Sequence, residues 1–413
     1  MAPPAARENR DFDVVVYGAT GFTGRLVAEY LHERYGDTPE FRWAVAARKP
    51  GKLRSVMSEI GVDPGRVPQF QADSDSPSTL AELAGRARVM LTTVGPYAKY
   101  GSPLVEACVR SATDYVDLAG EVQWMRRMID AYHENAAASG ARIVHACGFD
   151  SIPSDLGVLF LQQQSLEHFG EPCKQVTLLV RAMRGGASGG TVASMLNAIE
   201  EARSDRAVAR TMTDPYSLNP AGERQGPDGR DQYGVAFSDE LGVWTAPFVM
   251  ATINMRVVRR SNALMGHPWG RDFRYSEATI AGRGPAGWLK AASMTAGLGG
   301  FVAAASSDFL RRYLVQRLLP EPGEGPDREA RENGFFNMIL VGTTASGKEL
   351  RARVKGNRDP GYGATSRMLA ESAVCLAADD LEVPGGFWTP ASALGQRLIE
   401  RLQQNAGMSF ELE

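Results

Sequence analysis

The sequence predicts an α/β protein in which a parallel sheet with helices on both faces is followed by a second, α+β unit. Three observations point there. In the first 150 residues, six short apolar runs alternate with helical stretches; glycines follow the first run at once; and after Ser151 the alternation becomes irregular. A chain of 413 residues, 44% hydrophobic, is long enough for two domains with substantial cores.

The first strand lies in DVVVYGATGFTG from Asp13, a β-branched burst that runs straight into glycines. RLVAEYLHERYG then places Leu26, Val27, Tyr30 and Leu31 on one helical stripe, which Gly36 ends. A second strand is FRWAVAARK (41–49), a third lies near VPQFQAD (67–73), and a fourth is RVMLTTVGPY (88–97). The next helix starts SPLVEACV, with Ser102 read as its N-cap and Pro103 in the first turn. DYVDLAG is a fifth strand, and in the helix after it Val122, Met125, Met128, Ile129 and Tyr132 form an apolar face. ARIVHACGFD is the sixth, ending near Asp150. Beyond it, SDLGVLFLQQQSLEHFG reads as a helix and KQVTLLVRAMR as a strand. Arg203 to Gly234, rich in Asp, Arg, Pro and Gly, reads as a long exposed loop, either a lid or a solvated insertion. VWTAPFVMATINMRVVRRS, NGFFNMILVGTT and KELRARVKG are strand-like and suggest an antiparallel sheet, and the tail is helical.

Composition narrows the function. With 45 Lys and Arg against 48 Asp and Glu, the chain lacks the basic excess that phosphate contacts demand, so no nucleic-acid partner is expected. Cys108, Cys147, Cys173 and Cys375 form no CxxC pair and have no nearby His at ligand spacing, which predicts reduced thiols and no metal site. The opening MAPPAARENRDFD has no apolar core for a secretory signal, so a cytoplasmic protein is expected. The uncharged run between Lys290 and Asp308 falls short of a membrane span and is mostly Ala, Gly and Ser.

Chemistry concentrates at the glycine turn. Gly18, Gly21 and Gly24, set between a buried strand and an amphipathic helix, let backbone amides approach a pyrophosphate at a helix N-terminus. Thr20, Phe22 and Thr23 complete this dinucleotide cradle. At the end of the second strand, where an acid would hold the ribose of NAD, the chain has Arg48 and Lys49; Arg48 suits a 2′-phosphate, so NADP(H) is expected. Asp73 either reaches the adenine or is an exposed turn residue, and Val94, Gly95, Pro96 and Tyr97 follow the fourth strand, where a nicotinamide ribose lies. Two further segments either reach the same crevice or are plain turn chemistry: CGFDSIPSD (147–155), with a glycine, an acid and a hydroxyl, and GGASGGTVAS (185–194), whose amides offer a second anion or oxyanion site.

Together GATGFTG, TTVGPYAKYG, YVDLAGE, CGFDSIPSD and GGTVAS resemble the saccharopine dehydrogenase-like oxidoreductases, and within them the bacterial trans-acting enoyl reductases of mycobacterial-type lipid synthesis. The resemblance runs from Asp13 to the tail. It implies an NAD(P)-binding Rossmann domain (1–150), an inserted α+β domain with a mixed or antiparallel sheet (151–355), and C-terminal helices that return to the Rossmann domain (356–413). It also implies NADPH-dependent saturation of an α,β-unsaturated acyl chain carried by a polyketide synthase or acyl carrier, in phthiocerol-type lipid synthesis. Tyr97 is then either the first choice of proton donor, with Tyr100 or water behind it, or plain packing against the cofactor, and Ser151 or the 185–194 amides are candidates to stabilise the thioester oxygen. The 286–312 segment, with Trp288, Leu289, Phe301, Phe309, Leu310, Arg311 and Arg312, lines an acyl tunnel, rests on a lipid surface or simply packs as a helix. A homodimer is kept open. The alternatives are a saccharopine-type amino-acid dehydrogenase, with Arg181 and Arg184 as its carboxylate-binding pair, and a non-catalytic nucleotide-binding, lipid-associated protein.

Overall fold

The computed structural model describes residues 9–186, 189–307 and 325–413. The first half builds β1 (Phe12–Tyr17), α1 (Phe22–Tyr35), β2 (Trp43–Ala47), α2 (Pro50–Glu59), β3 (Gln69–Gln71), α3 (Pro77–Arg86), β4 (Ala87–Thr92), α4 (Tyr97–Tyr100), α5 (Ser102–Arg110), β5 (Asp114–Val116), α6 (Val122–Ser139), β6 (Arg142–Val144) and α7 (Ile152–Phe169). These six strands and the late β13 (Gly386–Trp388) form one parallel sheet in the order β13-β6-β5-β4-β1-β2-β3. Every residue of β1 is buried, as expected for a strand covered on both faces. The strand order reverses between β1 and β4, which opens a crevice at their carboxyl ends.

A second, mixed sheet takes β7 (Cys173–Arg184), β8 (Ala236–Ser238), β9 (Val243–Ala246), β10 (Arg274–Gly282), β11 (Phe335–Thr344), β12 (Glu349–Gly356) and β14 (Met408–Leu412). Its order is β14-β12-β11-β7-β10-β9-β8, with β7 and β10 parallel and the other neighbours antiparallel. The helices of this half are α8 (Gly189–Ser204), α9 (Arg206–Thr213), α10 (Ala251–Leu264), α11 (Gly284–Ser306), α12 (Arg328–Glu332), α13 (Thr365–Ala378), α14 (Pro390–Ala393) and α15 (Gly395–Asn405). Helix α13 packs on α1, β1 and β4, so the C-terminal segment closes the first sheet's core.

Four readings of the sequence change. Residues 251–264 form helix α10 rather than strand, because Ile253, Met255, Val257 and Val258 are buried together with Arg256, Arg259 and Arg260, and burial on every side hides the helical period. The 203–234 stretch is not a solvated loop. It begins in α8, continues through α9, and is then strapped down: Arg126 donates to the Ser217 and Asn219 carbonyls at 3.3 and 3.1 Å, Arg256 pairs with Asp231 at 3.0 Å, and Arg259 pairs with Asp228 at 2.6 Å. The 356–413 tail adds strands as well as helices, and β14 pairs with β12 of the second sheet. Ser102 is the first residue of α5 rather than its cap; its hydroxyl accepts the Trp124 indole N–H at 3.0 Å.

Arg260 is a further buried strap. It is 2% exposed, donates to the carbonyls of Leu218 and Phe387, and has its pKa pushed down to about 9 by burial and by Arg126. Arg260→Met orphans two buried carbonyls at about 1–3 kcal/mol each, partly offset by removal of a desolvated charge. Urea unfolding is expected to show a net loss of about 1–3 kcal/mol.

Candidate active site

The glycine corner is a packing necessity before it is a binding site. Gly18 has φ +98°, and a Cβ there would lie 2.7 Å from Val94 Cγ2 and 2.8 Å from Thr93 Oγ1. At Gly24 a Cβ would lie 2.2 Å from the Gly18 carbonyl oxygen, so α1 seats directly on the β1 turn. The Gly21 amide donates to Gly18 O at 2.9 Å, and Gly21 caps α1 with an extended backbone. The first-turn amides of α1, which have no carbonyl partner inside the helix, open onto the carboxyl edge of the sheet.

That edge forms one wall of a cavity of about 980 Å³. Gly18, Thr20, Gly21, Phe22 and Thr23 line it beside α1, Arg48, Lys49 and Lys52 line it after β2, and Asp73 lines it after β3. Val94, Gly95 and Tyr97 follow β4, and Gly120, Glu121 and Asp150 follow β5 and β6. The second half of the chain adds a mostly apolar lining, Met195 and Ile199 of α8, Met212 of α9, Phe248, and Leu298 and Val302 of α11, with Ser194, Asp231, Gln232, Thr252 and Thr295 as its polar members. Gly24 and Pro96 stand behind the lining, Gly24 against the Gly18 carbonyl and Pro96 in the loop that leads to α4. Arg48 is exposed, and its guanidinium makes no ion pair among the described residues. Asp73 accepts the Asp75 amide at 3.2 Å, so one oxygen shapes the turn while the residue still faces the cavity.

The hydroxyls of both expected catalytic residues have partners within the protein. Tyr97 lines the cavity but is 3% exposed; its hydroxyl donates to Thr92 O at 3.1 Å and accepts from the Leu118 amide at 3.3 Å. Burial, then the Asp117 carboxylate, hold that phenol well above its ordinary pKa, so it keeps its proton. Ser151 is fully buried and donates to Asn254 Oδ1 at 3.2 Å, away from the lining. Its neighbour Asp150 faces the cavity instead. Of GGASGGTVAS, Ala187 and Ser188 lie outside the described residues, and Ser194 of α8 reaches the lining, where it hydrogen-bonds Glu121.

Glu121 is a residue that sequence reasoning missed. Its carboxylate accepts the amides of Tyr97 and Ala98 at 2.7 and 3.0 Å, tying the loop after β4 to the loop after β5, and burial raises its pKa. Tyr17 was also missed: it ends β1, and its hydroxyl meets Ser74 Oγ at 2.9 Å. The YVDLAGE motif contained Glu121, but nothing local marks its amide partners.

Comparison with known proteins places this geometry. Residues 14–144 match the saccharopine dehydrogenase NADP binding domain. A Mycobacterium tuberculosis protein provisionally named as a trans-acting enoyl reductase is 44% identical over 417 residues, 97% of each chain. A trans-acting enoyl reductase of Mycobacterium bovis is 43% identical over 404 residues, 95% of this chain and 96% of the relative. Among solved structures, saccharopine dehydrogenase (L-Glu forming) of Saccharomyces cerevisiae superposes with a TM-score of 0.52 at 11% identity over 97% of this chain and 98% of its own, a likeness of fold.

Gly24→Ala tests the corner. The added methyl meets backbone rather than a flexible side chain, so an overpacking cost of about 1–3 kcal/mol is expected in urea unfolding, together with loss of nucleotide binding by fluorescence titration.

Proposed function

The chain belongs to the trans-acting enoyl reductase family, with a saccharopine dehydrogenase-type NADP-binding domain, and from that premise we propose that it reduces the carbon–carbon double bond of an α,β-unsaturated acyl thioester. The cofactor is NADP(H), which when bound supplies the hydride that adds to the β-carbon. Gly18, Thr20, Gly21, Phe22 and Thr23 would hold its pyrophosphate through their backbone amides, and Val94 and Gly95 would border the nicotinamide. Arg48, backed by Lys49 and Lys52, gathers positive charge where the 2′-phosphate of NADP falls. The residues fit the group: at Gly18 and Gly24 a Cβ would meet Thr93 or backbone, so the corner stays open.

One observation carries the choice of substrate. The second half of the chain lines the cavity mainly with apolar side chains, Met195, Ile199, Met212, Phe248, Leu298 and Val302, a surface suited to orienting a hydrocarbon chain and excluding water. The cations in the lining are Arg48, Lys49 and Lys52, all at the nucleotide end. Arg181 and Arg184, the pair an amino-acid substrate would need, are exposed on β7 outside the lining, which argues against a saccharopine-type substrate.

The acyl chain arrives on a separate synthase or carrier, as an enzyme acting in trans requires. Helix α11 contributes Thr295, Leu298, Gly299 and Val302 to the cavity, which favours the acyl-tunnel reading of the 286–312 segment over a purely lipid-facing one. Trp288 and Leu289 of α11 are 48% and 65% exposed beside that wall, whereas Asp308 to Arg312 lie outside the described residues. No helix among the described residues is long and apolar enough to cross a membrane.

Oxidation of NADPH followed at 340 nm is expected with enoyl thioesters, more strongly with long chains than short ones, and not with saccharopine. Arg48→Ala is expected to weaken NADPH binding about ten- to a hundredfold and to leave NADH unchanged. A change below threefold contradicts the 2′-phosphate assignment.

A further inference from the structure

We propose that Asp150 is the acid that hands a proton to the substrate α-carbon, an inference that rests on the enoyl reductase reading above. The segment carrying it is clamped on both sides. The Cys147 amide donates to Asp117 O at 2.7 Å, the Phe149 amide to Thr365 Oγ1 at 3.0 Å, and Ser151 Oγ to Asn254 Oδ1 at 3.2 Å. Asn254 is itself held by Glu277 at 2.9 Å, and Glu277 by the Tyr275 hydroxyl at 2.7 Å, so the clamp reaches into the second sheet. Between these anchors the Asp150 carboxyl faces the cavity and has no hydrogen-bond partner or ion pair among the described residues.

The other acidic groups of the lining are committed elsewhere. Glu121 holds the Tyr97 and Ala98 amides, and Asp231 pairs with Arg256. Asp73 and Asp75 stand at the nucleotide end, the Tyr97 phenol is engaged by Thr92 and Leu118, and the Tyr17 phenol by Ser74. Asp150 is left as a carboxyl held in place by its neighbours yet free to donate.

Its surroundings keep a proton on it. Asp117, at the end of β5, is wholly buried; its carboxylate accepts from the Tyr115 hydroxyl at 2.9 Å and from the Ala119 and Ala146 amides at 3.0 Å each, and meets His145 Nδ1 at 2.7 Å. The charged group that acts on Asp150 is Asp117, with His145 beside that carboxylate, and Asp150 in turn acts on the Tyr97 phenol. Burial, then the Asp117 charge, push the Asp150 carboxyl up to about 7, where acid and base forms are both accessible at neutral pH. The step balances. As hydride adds at the β-carbon, the alkene pair shifts toward the α-carbon and the thioester oxygen. A C–H bond then forms at the α-carbon as the Asp150 O–H breaks, its electron pair stays on the carboxylate, and water in the cavity returns the proton. The alkene is reduced and NADPH is oxidised.

The test compares wild type, Asp150→Asn and Asp150→Glu, all full length. NADPH binding is expected to stay within twofold in both variants, while Asp150→Asn loses about 10²- to 10⁴-fold in kcat with an enoyl thioester and Asp150→Glu recovers part of it. Wild-type kcat is expected to fall tenfold per pH unit above about 7, a limb missing from the residual Asp150→Asn rate. Melting supplies a readout independent of turnover. A carboxyl whose folded pKa is raised loses stability as pH climbs from its ordinary 3.8 to about 7, so wild type should lose more Tm than Asp150→Asn between pH 5 and pH 8. Near-wild-type kcat in Asp150→Asn, or no limb near pH 7 in wild type, overturns the assignment while the enoyl reductase reading stands. A wild type that oxidises no NADPH with any enoyl thioester overturns that reading and the proposal with it. If Asp150→Asn does not fold, the wild-type pH limb and Asp150→Glu decide.

Discussion

The contact on which the rest of the molecule depends is backbone against backbone: α1 lies so close to the turn after β1 that no side chain fits at Gly24. That closeness lets Thr93, just past β4, pack into the same corner, where its hydroxyl donates to Gly18 O at 3.4 Å. Strand β4, the turn and the helix therefore meet at the point where the sheet order reverses, and the carboxyl edge there is lined by amides and small atoms. A bulkier corner would move the helix N-terminus and fill the space in which a nucleotide's phosphates are held.

From this corner the cavity changes character in a regular way. Cations stand after β2, Asp73 and Asp75 after β3, neutral backbone after β1 and β4 and acids after β5 and β6, and the far wall is mostly apolar. Each zone matches a different part of one reaction: a phosphate to hold, a ring to face, a proton to supply and an acyl chain to cover. The far wall needs rigidity of its own. Arg126, Arg256, Arg259 and Arg260 supply it by holding the chain between Met212 and Asp231 from below, at the expense of burying guanidinium groups. Three of the four lie on α10, the helix that also carries Asn254, so the wall and the Asp150 clamp share a support.

The parts legible in the sequence were those set by local pattern. The six strands, the glycine corner and Arg48 at the end of β2 could be read because period, turn chemistry and charge lie within a few residues of one another. Helix α10 could not, since its arginines sit inside the protein and its apolar residues show no single face. Strands β13 and β14 were missed because a three- or five-residue strand is defined by its partner, and both partners are distant in the chain. The surroundings of the two hydroxyls named for catalysis were hidden for a related reason. Tyr97 and Ser151 have suitable side chains at suitable chain positions, but the Leu118 amide and Asn254, contributed by other elements, engage their hydroxyls. The acid in CGFDSIPSD was visible as a residue; that it, rather than the hydroxyl beside it, faces the cavity depends on contacts from α10 and α13.

The most direct test of the central claim follows the hydride itself. NADPH carrying deuterium at its reactive ring carbon is incubated with the protein and a long-chain enoyl thioester, and the saturated product is analysed by NMR and mass spectrometry. The account predicts one deuterium per product, at the β-carbon, with the α-carbon hydrogen drawn from solvent. Product lacking deuterium, or deuterium at the α-carbon, would contradict it.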